Sequence, residues 1–392
     1  MSRTRSANAA ANTAANTAAN TAANTAANTA ANTAANTAAA PQLLVGVDVG
    51  GTKIAGGVVD PRTGTVRHRV TVPTDLRRGS DAVLLTTVAL IRQLADAVAD
   101  EGCPLGGVGV GVPELVSPAG DITSDHLLAW RGDELAAAIA ADGRPAARTD
   151  LPVRIESDVR AAALAEARFG AGREHDVFVY VTIGTGISFS LVQHGVPYAG
   201  ARGNALLLLA PGAKPTGPDV VGRPGASDQP PLLETVAAGP ALVERFRVAG
   251  GQVAGGEVAG GEVAGGEVAG GEVAGGQVVG SQVAGGRVEG DARMVLDAAA
   301  AGDPVAVTVV RDAGDALGDA IALLVNALDP EAVVVGGGLG LAGGAYLAGA
   351  VDRARRMIWA PETRALPIVP AGLGVHAGVV GAALAADAEH GR

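Results

Sequence analysis

The sequence predicts an α/β protein built as two related lobes that face a cleft. Three observations predict it. A strand, a glycine turn and a second strand open each half of the chain, at 42–60 and again at 176–195. Apolar strands then alternate with amphipathic helical stretches, the pattern of sheets layered against helices. A third glycine run, "GGG" at 336–338, follows directly on the apolar strand "AVVV". Glycine turns clustered at strand ends are suited to lining a ligand cleft.

Not all of the 392 residues belong to a core. Residues 7–39 repeat "TAAN" with a period of four, and 250–290 repeat "GGEVA" with a period of five. The first tract is Ala-rich, but its Asn and Thr oppose helix and its period makes no lasting apolar face. The second places valine at every fifth position from 253 to 288, a period that matches neither strand nor helix. Residues 1–40 therefore read as a low-complexity disordered tail and 250–290 as a flexible insertion between helices. Without them roughly 310 residues remain, enough for two lobes of ordinary size.

Each element has its own signal. "QLLVGVDVGGTKIAGGVVD" (42–60) reads as a hairpin, and "TVRHRVTVP" (65–73) as a third strand with period-two alternation. Residues 81–102 form an amphipathic helix with Asp81 as its N-cap. "GGVGVGVPELV" (106–116) is a buried strand and turn, and "VRIESD" (153–158) a strand that runs into the helix "VRAAALAEARFG". The second half repeats strand, glycine turn and strand at 176–195. Helices follow near 232–248, 292–328 and 376–388, with the strand and glycine loop 332–340 between the last two.

Composition excludes several classes of function. The formal net charge is −11, which argues against a nucleic-acid surface. The single cysteine, Cys103, makes neither an internal disulfide nor a cysteine-rich metal site, and it fits a reducing cytoplasm. No apolar run reaches the roughly 20 residues of a membrane span, so no membrane partner is expected. Arg3 and Arg5 precede no leucine-rich segment, so no signal peptide is expected.

The glycine turns carry the chemistry. In "DVGGTK" (48–53), Gly50 and Gly51 let backbone N–H groups approach an anion, Thr52 adds a hydroxyl and Lys53 a cation. Asp48, at the strand end, is placed to hold magnesium through water. "GTG" (Gly184, Thr185, Gly186) repeats the arrangement, and Gly336, Gly337 and Gly338 form a loop able to admit a flat base and ribose. Each is also read as an ordinary turn. Asp158, at a strand end and a helix start, is either a helix cap or the base that takes a proton from an attacking hydroxyl. A phosphoryl acceptor needs such a base opposite clamped phosphates.

In order, "VDVGGTK", "GVGVGVP", "SDVRAAALAE", "VTIGTGI", "GVPYAGARGNA", "LLETVAAGPAL", "LVNALDPEAVVVGGG" and "AGVVGAAL" resemble the ROK family (repressors, open reading frames and sugar kinases) of the actin-like sugar kinase superfamily. The resemblance implies two actin-like, ribonuclease H-like lobes closing on ATP–magnesium and a sugar. It implies an N-terminal lobe of residues 41–157 with a returning helix at 376–390, and a C-terminal lobe of 158–375 that contains the insertion. Asp48, Gly50–Lys53 and Gly184–Gly186 match the two phosphate motifs, Gly336–Gly338 the adenosine motif, and Asp158 the catalytic aspartate. A homodimer is compatible with it.

The sequence departs from the family on the acceptor side. Ser157 stands where an Asn usually precedes the catalytic Asp, and His126 and Leu127 stand where an Asn-Leu precedes a Trp, here Trp130. After "GARGNA" the family's sugar-binding Glu and His give way to "LLLLAPG", and the zinc loop has no cysteine in "GRPGASDQPPLLE" (222–234), so zinc is not expected. Glu114, His126, Ser157 and Asn204 are the residues left to contact a sugar, although Glu114 also reads as a solvated turn residue and His126 as a surface loop residue. The reading is an ATP-dependent, glucokinase-like kinase of a sugar or polyol. The rivals are a cyclitol kinase of secondary metabolism and a catalytically weak ligand sensor. The leucine run 206–209 either lines the acceptor pocket or packs into the lobe core.

Overall fold

The computed structural model describes residues 42–140, 152–208, 210, 232–251 and 292–387. The "TAAN" tract, nearly all of the valine–glycine repeat, residues 222–231 of the cysteine-free segment and the last residues of the expected C-terminal helix lie outside them.

Five strands form the first sheet. β1 (Leu43–Val49) and β2 (Lys53–Val59) make the expected hairpin, and β3 (Val66–Pro73) adds an antiparallel strand. β4 (Leu105–Val112) and β5 (Val153–Ser157) continue in parallel beyond β1, giving the order β3-β2-β1-β4-β5. The second sheet repeats this plan with β6 (Val177–Ile183), β7 (Ile187–Gln193), β8 (Val196–Pro197), β9 (Ala332–Gly336) and β10 (Ile368–Pro370) in the order β8-β7-β6-β9-β10. In both sheets the antiparallel strands come from local hairpins, and the parallel ones need crossover connections. The two related lobes are therefore two copies of one strand order.

Helix α1 (Ser80–Asp100) covers the outer face of the first sheet, burying Val83, Val88, Leu90, Ile91, Leu94 and Val98. By length and mean hydropathy alone it could cross a bilayer, although Asp81, Thr86, Thr87, Arg92, Gln93 and Asp96 interrupt its apolar residues. Its apolar stripe instead meets β2, where Gly56 makes room for Leu90 and Leu94. Asp81 is not its cap. The helix begins at Ser80 after Gly79, and Asp81 lies within the first turn, where a carboxylate still favours the positive helix end. The short α2 (Gly132–Ala140) joins the same layer.

Helices α3 (Asp158–Phe169) and α10 (Ala377–Ala385) lie between the sheets. Their alanines and valines share one core with Leu44, Val59 and Val66 of the first sheet and Phe178, Tyr180 and Val334 of the second. The far side of the second sheet is covered by α5 (Gly239–Val248), α6 (Ala292–Ala300), α7 (Pro304–Leu328), the short α8 (Gly338–Ala342) and α9 (Gly344–Met357). The helix expected over 292–328 is thus two. Gly302 takes φ +88°, Asp303 accepts hydrogen bonds from the N–H groups of Val305 and Ala306, and Pro304 opens α7. The helix expected over 232–248 is also two, with α4 (Glu234–Ala237) ending at an extended Ala238 before α5.

Candidate functional site

β1, β4 and β5 end side by side, and their register assembles the centre of the site. Asp48 of β1 pairs with Gly111 of β4, and Gly111 pairs with Glu156 of β5, two residues before Asp158. A methyl group on Gly111 would lie 3.6 Å from Asp48 Oδ1 and 3.7 Å from the Asp158 Cα. Those are ordinary van der Waals distances, so it is the strand register that brings the two aspartates together. Gly378, the second residue of α10, packs directly on the Asp48 carboxylate, which any side chain there would overlap.

Burial pushes the Asp158 carboxyl up to about 7, and the nearby charges of Asp48 and then Glu114 push in the same direction, against Arg160 and the Val159 N–H. Burial likewise raises Asp48 to about 6, with Lys53 opposing. Such a pair divides its duties according to environment. Ser157 takes the N-cap position of α3 without a side-chain cap hydrogen bond, and among the described residues the Asp158 carboxylate accepts only the adjacent Val159 N–H at 2.6 Å. The cap reading of Asp158 fails on this geometry.

The first glycine turn is held by the Gly50 N–H donating to the Lys53 carbonyl at 2.9 Å and by the Thr74 hydroxyl donating to the Gly50 carbonyl at 2.6 Å. Thr52 and Lys53 are exposed. In the second turn the Gly184 N–H donates to the Gly186 carbonyl, and Thr185 is exposed. Gly336 and Gly337 have steric reasons to be glycine. A side chain would overlap the Tyr180 hydroxyl at the first and the Ile183 carbonyl at the second, where φ is +80°. Gly338 has open space instead, and the nearest atom to a methyl group on Gly184 is the Gly338 nitrogen at 3.8 Å. The second and third glycine motifs therefore lie side by side, with open space over Gly338. Gly337→Ala is expected to weaken ATP binding at least tenfold, measured by titration with a fluorescent ATP analogue, and to lower Tm as well, because the added methyl meets the Ile183 backbone.

On the acceptor side the structure corrects one expectation. Glu114 is buried, not solvated. Its carboxylate accepts the N–H groups of His126 (2.8 Å), Leu127 (2.6 Å) and Leu128 (2.7 Å) and the Ser124 hydroxyl. It therefore shapes the loop that carries His126, and Leu127 of that loop lies against Gly51. Ser157 is 1% exposed. His126 is partly buried and Asn204 exposed. The leucine run alternates: Leu206 enters the core between the sheets, Leu208 the core of the second lobe, and Leu207 stays 50% exposed, bridging to Ser188. For Leu206 and Leu208 the core-packing reading holds.

Residues 44–389 match the profile of the ROK family. The chain belongs to that family. A glucokinase of Thermotoga maritima is 29% identical over 303 residues, 76% of this chain and 83% of the other. A glucokinase of Streptomyces coelicolor is 30% identical over 355 residues, 87% and 96% of the two chains. The crystal structure of a ROK family glucokinase from Streptomyces griseus, in complex with glucose and AMPPNP, superposes with a TM-score of 0.62 at 27% identity, over 87% of this chain and 98% of that one.

Within this ROK chain, two charged residues of the site were missed in the sequence. Glu234, at the start of α4, sends a carboxylate oxygen to within 2.8 Å of where a side chain on Gly186 would sit. Arg160 is fully buried beside Asp158. The only sequence signal for Arg160 was an arginine in the first turn of an otherwise alanine-rich helix, and Glu234 gave none.

Proposed function

We propose that this chain transfers the terminal phosphoryl group of ATP to a hydroxyl of a sugar or related polyol in the cytoplasm, with Asp158 as the base. The observation that carries the reading is the pair Asp48–Asp158 at adjoining strand ends, with three glycine turns around it. Bound ATP–magnesium supplies the phosphoryl group and charge neutralisation. The open space at Gly184 and Gly338 fits a nucleotide, and Asp48 takes no hydrogen bond from any described residue, which leaves its carboxylate free for the water shell of a cation. The Gly50 and Gly184 N–H groups hold the two turns in shape, and the N–H groups of Gly51, Thr185 and Gly186 would bind phosphate oxygens, helped by the Thr52 hydroxyl and the Lys53 ammonium. Gly336–Gly338 receive the nucleoside. Asp158 accepts the acceptor proton, and its raised pKa lets it keep that proton near neutrality. Zinc has no part in this scheme.

Acceptor contacts come from His126 and Asn204, while Glu234 stands beside the second glycine turn. Glu114 and Ser157, both buried, act on the wall rather than on the sugar. Burial of Leu206 and Leu208 leaves fewer polar partners for hydroxyls, and a site with fewer partners discriminates less in favour of a fully hydroxylated hexose. ADP formation across a panel of hexoses, amino sugars and cyclitols tests the reading. At least one should stimulate ATP consumption tenfold or more above the acceptor-free rate, with glucose not the best. ATP binding with no stimulating acceptor would replace the kinase by the ligand-sensor reading. Efficient glucose phosphorylation would show that the sugar contacts lie elsewhere.

A further inference from the structure

Arg160 is the largest fully buried side chain among the described residues. It sits in the first turn of α3, where the positive end of the helix opposes a cation. Burial of a guanidinium is costly unless every N–H finds an acceptor. Its acceptors come from three parts of the chain. Nε donates to Glu156 Oε1 at 2.7 Å, one terminal nitrogen donates to the Gly203 carbonyl at 2.9 Å, and the other donates to the Val116 carbonyl at 2.6 Å. Val116 belongs to the loop after β4, which Glu114 also shapes and which carries His126. Gly203 belongs to the segment after β8 in the other lobe, next to Asn204. The two segments touch: Gly203 has φ +83°, and a side chain on it would overlap the Val116 carbonyl.

We propose that Arg160 is a positioning residue that clamps one acceptor-side segment from each lobe, residues 113–128 and 198–207, onto the helix that carries Asp158. The planar guanidinium reaches two carbonyls in fixed directions while Glu156 neutralises its charge, and a lysine lacks that fork. The clamp sets the distance from His126 and Asn204 to Asp158 and has no contact with any of the three glycine turns. Acceptor binding should therefore depend on it and nucleotide binding should not. The inference rests on the phosphotransfer reading of the site.

The test compares Arg160→Met and Arg160→Lys with the parent full chain by steady-state kinetics on the best acceptor and by amide hydrogen exchange. In Arg160→Met the acceptor KM should rise at least tenfold while the KM for ATP stays within about twofold. Residues 113–128 and 198–207 should exchange at least tenfold faster, with α7 unchanged. Arg160→Lys should recover part of the acceptor KM. If Arg160→Met does not fold, the lysine variant decides, with intermediate values of both readouts. Equal rises in the two KM values, or unchanged exchange in both segments, would overturn the clamp. A parent without any acceptor-dependent turnover would overturn the phosphotransfer reading, and the exchange data would then decide the clamp on their own.

Discussion

Asp158→Asn is expected to cut acceptor-dependent ADP formation by roughly 10²–10⁴ and to leave ATP affinity within about twofold. The same variant should be more stable than the parent above neutral pH. In the folded chain the carboxyl keeps its proton up to about pH 7, against an ordinary value of 3.8. Between those values the folded state binds more protons than the unfolded state, so stability falls as pH rises. The deficit is absent below about pH 4 and complete above about pH 7. Asparagine carries no charge and escapes it. Thermal melts should therefore show a Tm advantage for the variant that grows from pH 4 to pH 7 and then levels. In the parent, kcat/KM for the acceptor should decline below pH 7 as the base becomes protonated. Full turnover by Asp158→Asn would remove Asp158 from the chemistry, and a Tm difference independent of pH would remove the burial argument.

Gly381→Val should have the largest effect on stability. α10 crosses β1 and β4 at close range because glycines stand on both sides. A side chain on Gly46 would overlap the Val379 carbonyl, one on Gly109 the Ala382 carbonyl, and one on Gly381 the Ala161 carbonyl of α3. The obstacle at Gly381 is backbone on a packed helix, which cannot rotate aside. Overpacking of this kind costs about 3 kcal/mol, equivalent to about 5 °C in Tm for a chain of this size. Activity should fall with it, since α10 also carries Gly378 against the Asp48 carboxylate. Gly349→Ala in α9, where a methyl group meets nothing within 4 Å, is the control and should be neutral or stabilising. A Tm for Gly381→Val within 2 °C of the parent would mean that the helices separate freely.

The sequence by itself determined what local rules govern. Period-two alternation marked β3, apolar runs on either side of a glycine turn marked β1 and β2, and the glycines at 50–51, 184–186 and 336–338 marked the turns, because strand pleat and turn dihedrals depend on neighbouring residues alone. The break between α6 and α7 was also local, written in Gly302, Asp303 and Pro304, yet a shared apolar face hid it. Motif order placed Asp48 and Asp158 in one site. Only the tertiary structure decided the electrostatics of that site and the making of its acceptor wall. The raised pKa of Asp158 needs Asp48 beside it, which follows from the register of β1, β4 and β5. Glu114 reads as a turn residue until the N–H groups of residues 126–128 fold over it. Leu206, Leu207 and Leu208 are identical letters with three different surroundings. Arg160 finds its carbonyls 44 residues before it and 43 after it. A buried charge is held by partners that only the assembled chain brings within hydrogen-bond reach, and the distance dependence of that interaction leaves no trace in the residues on either side.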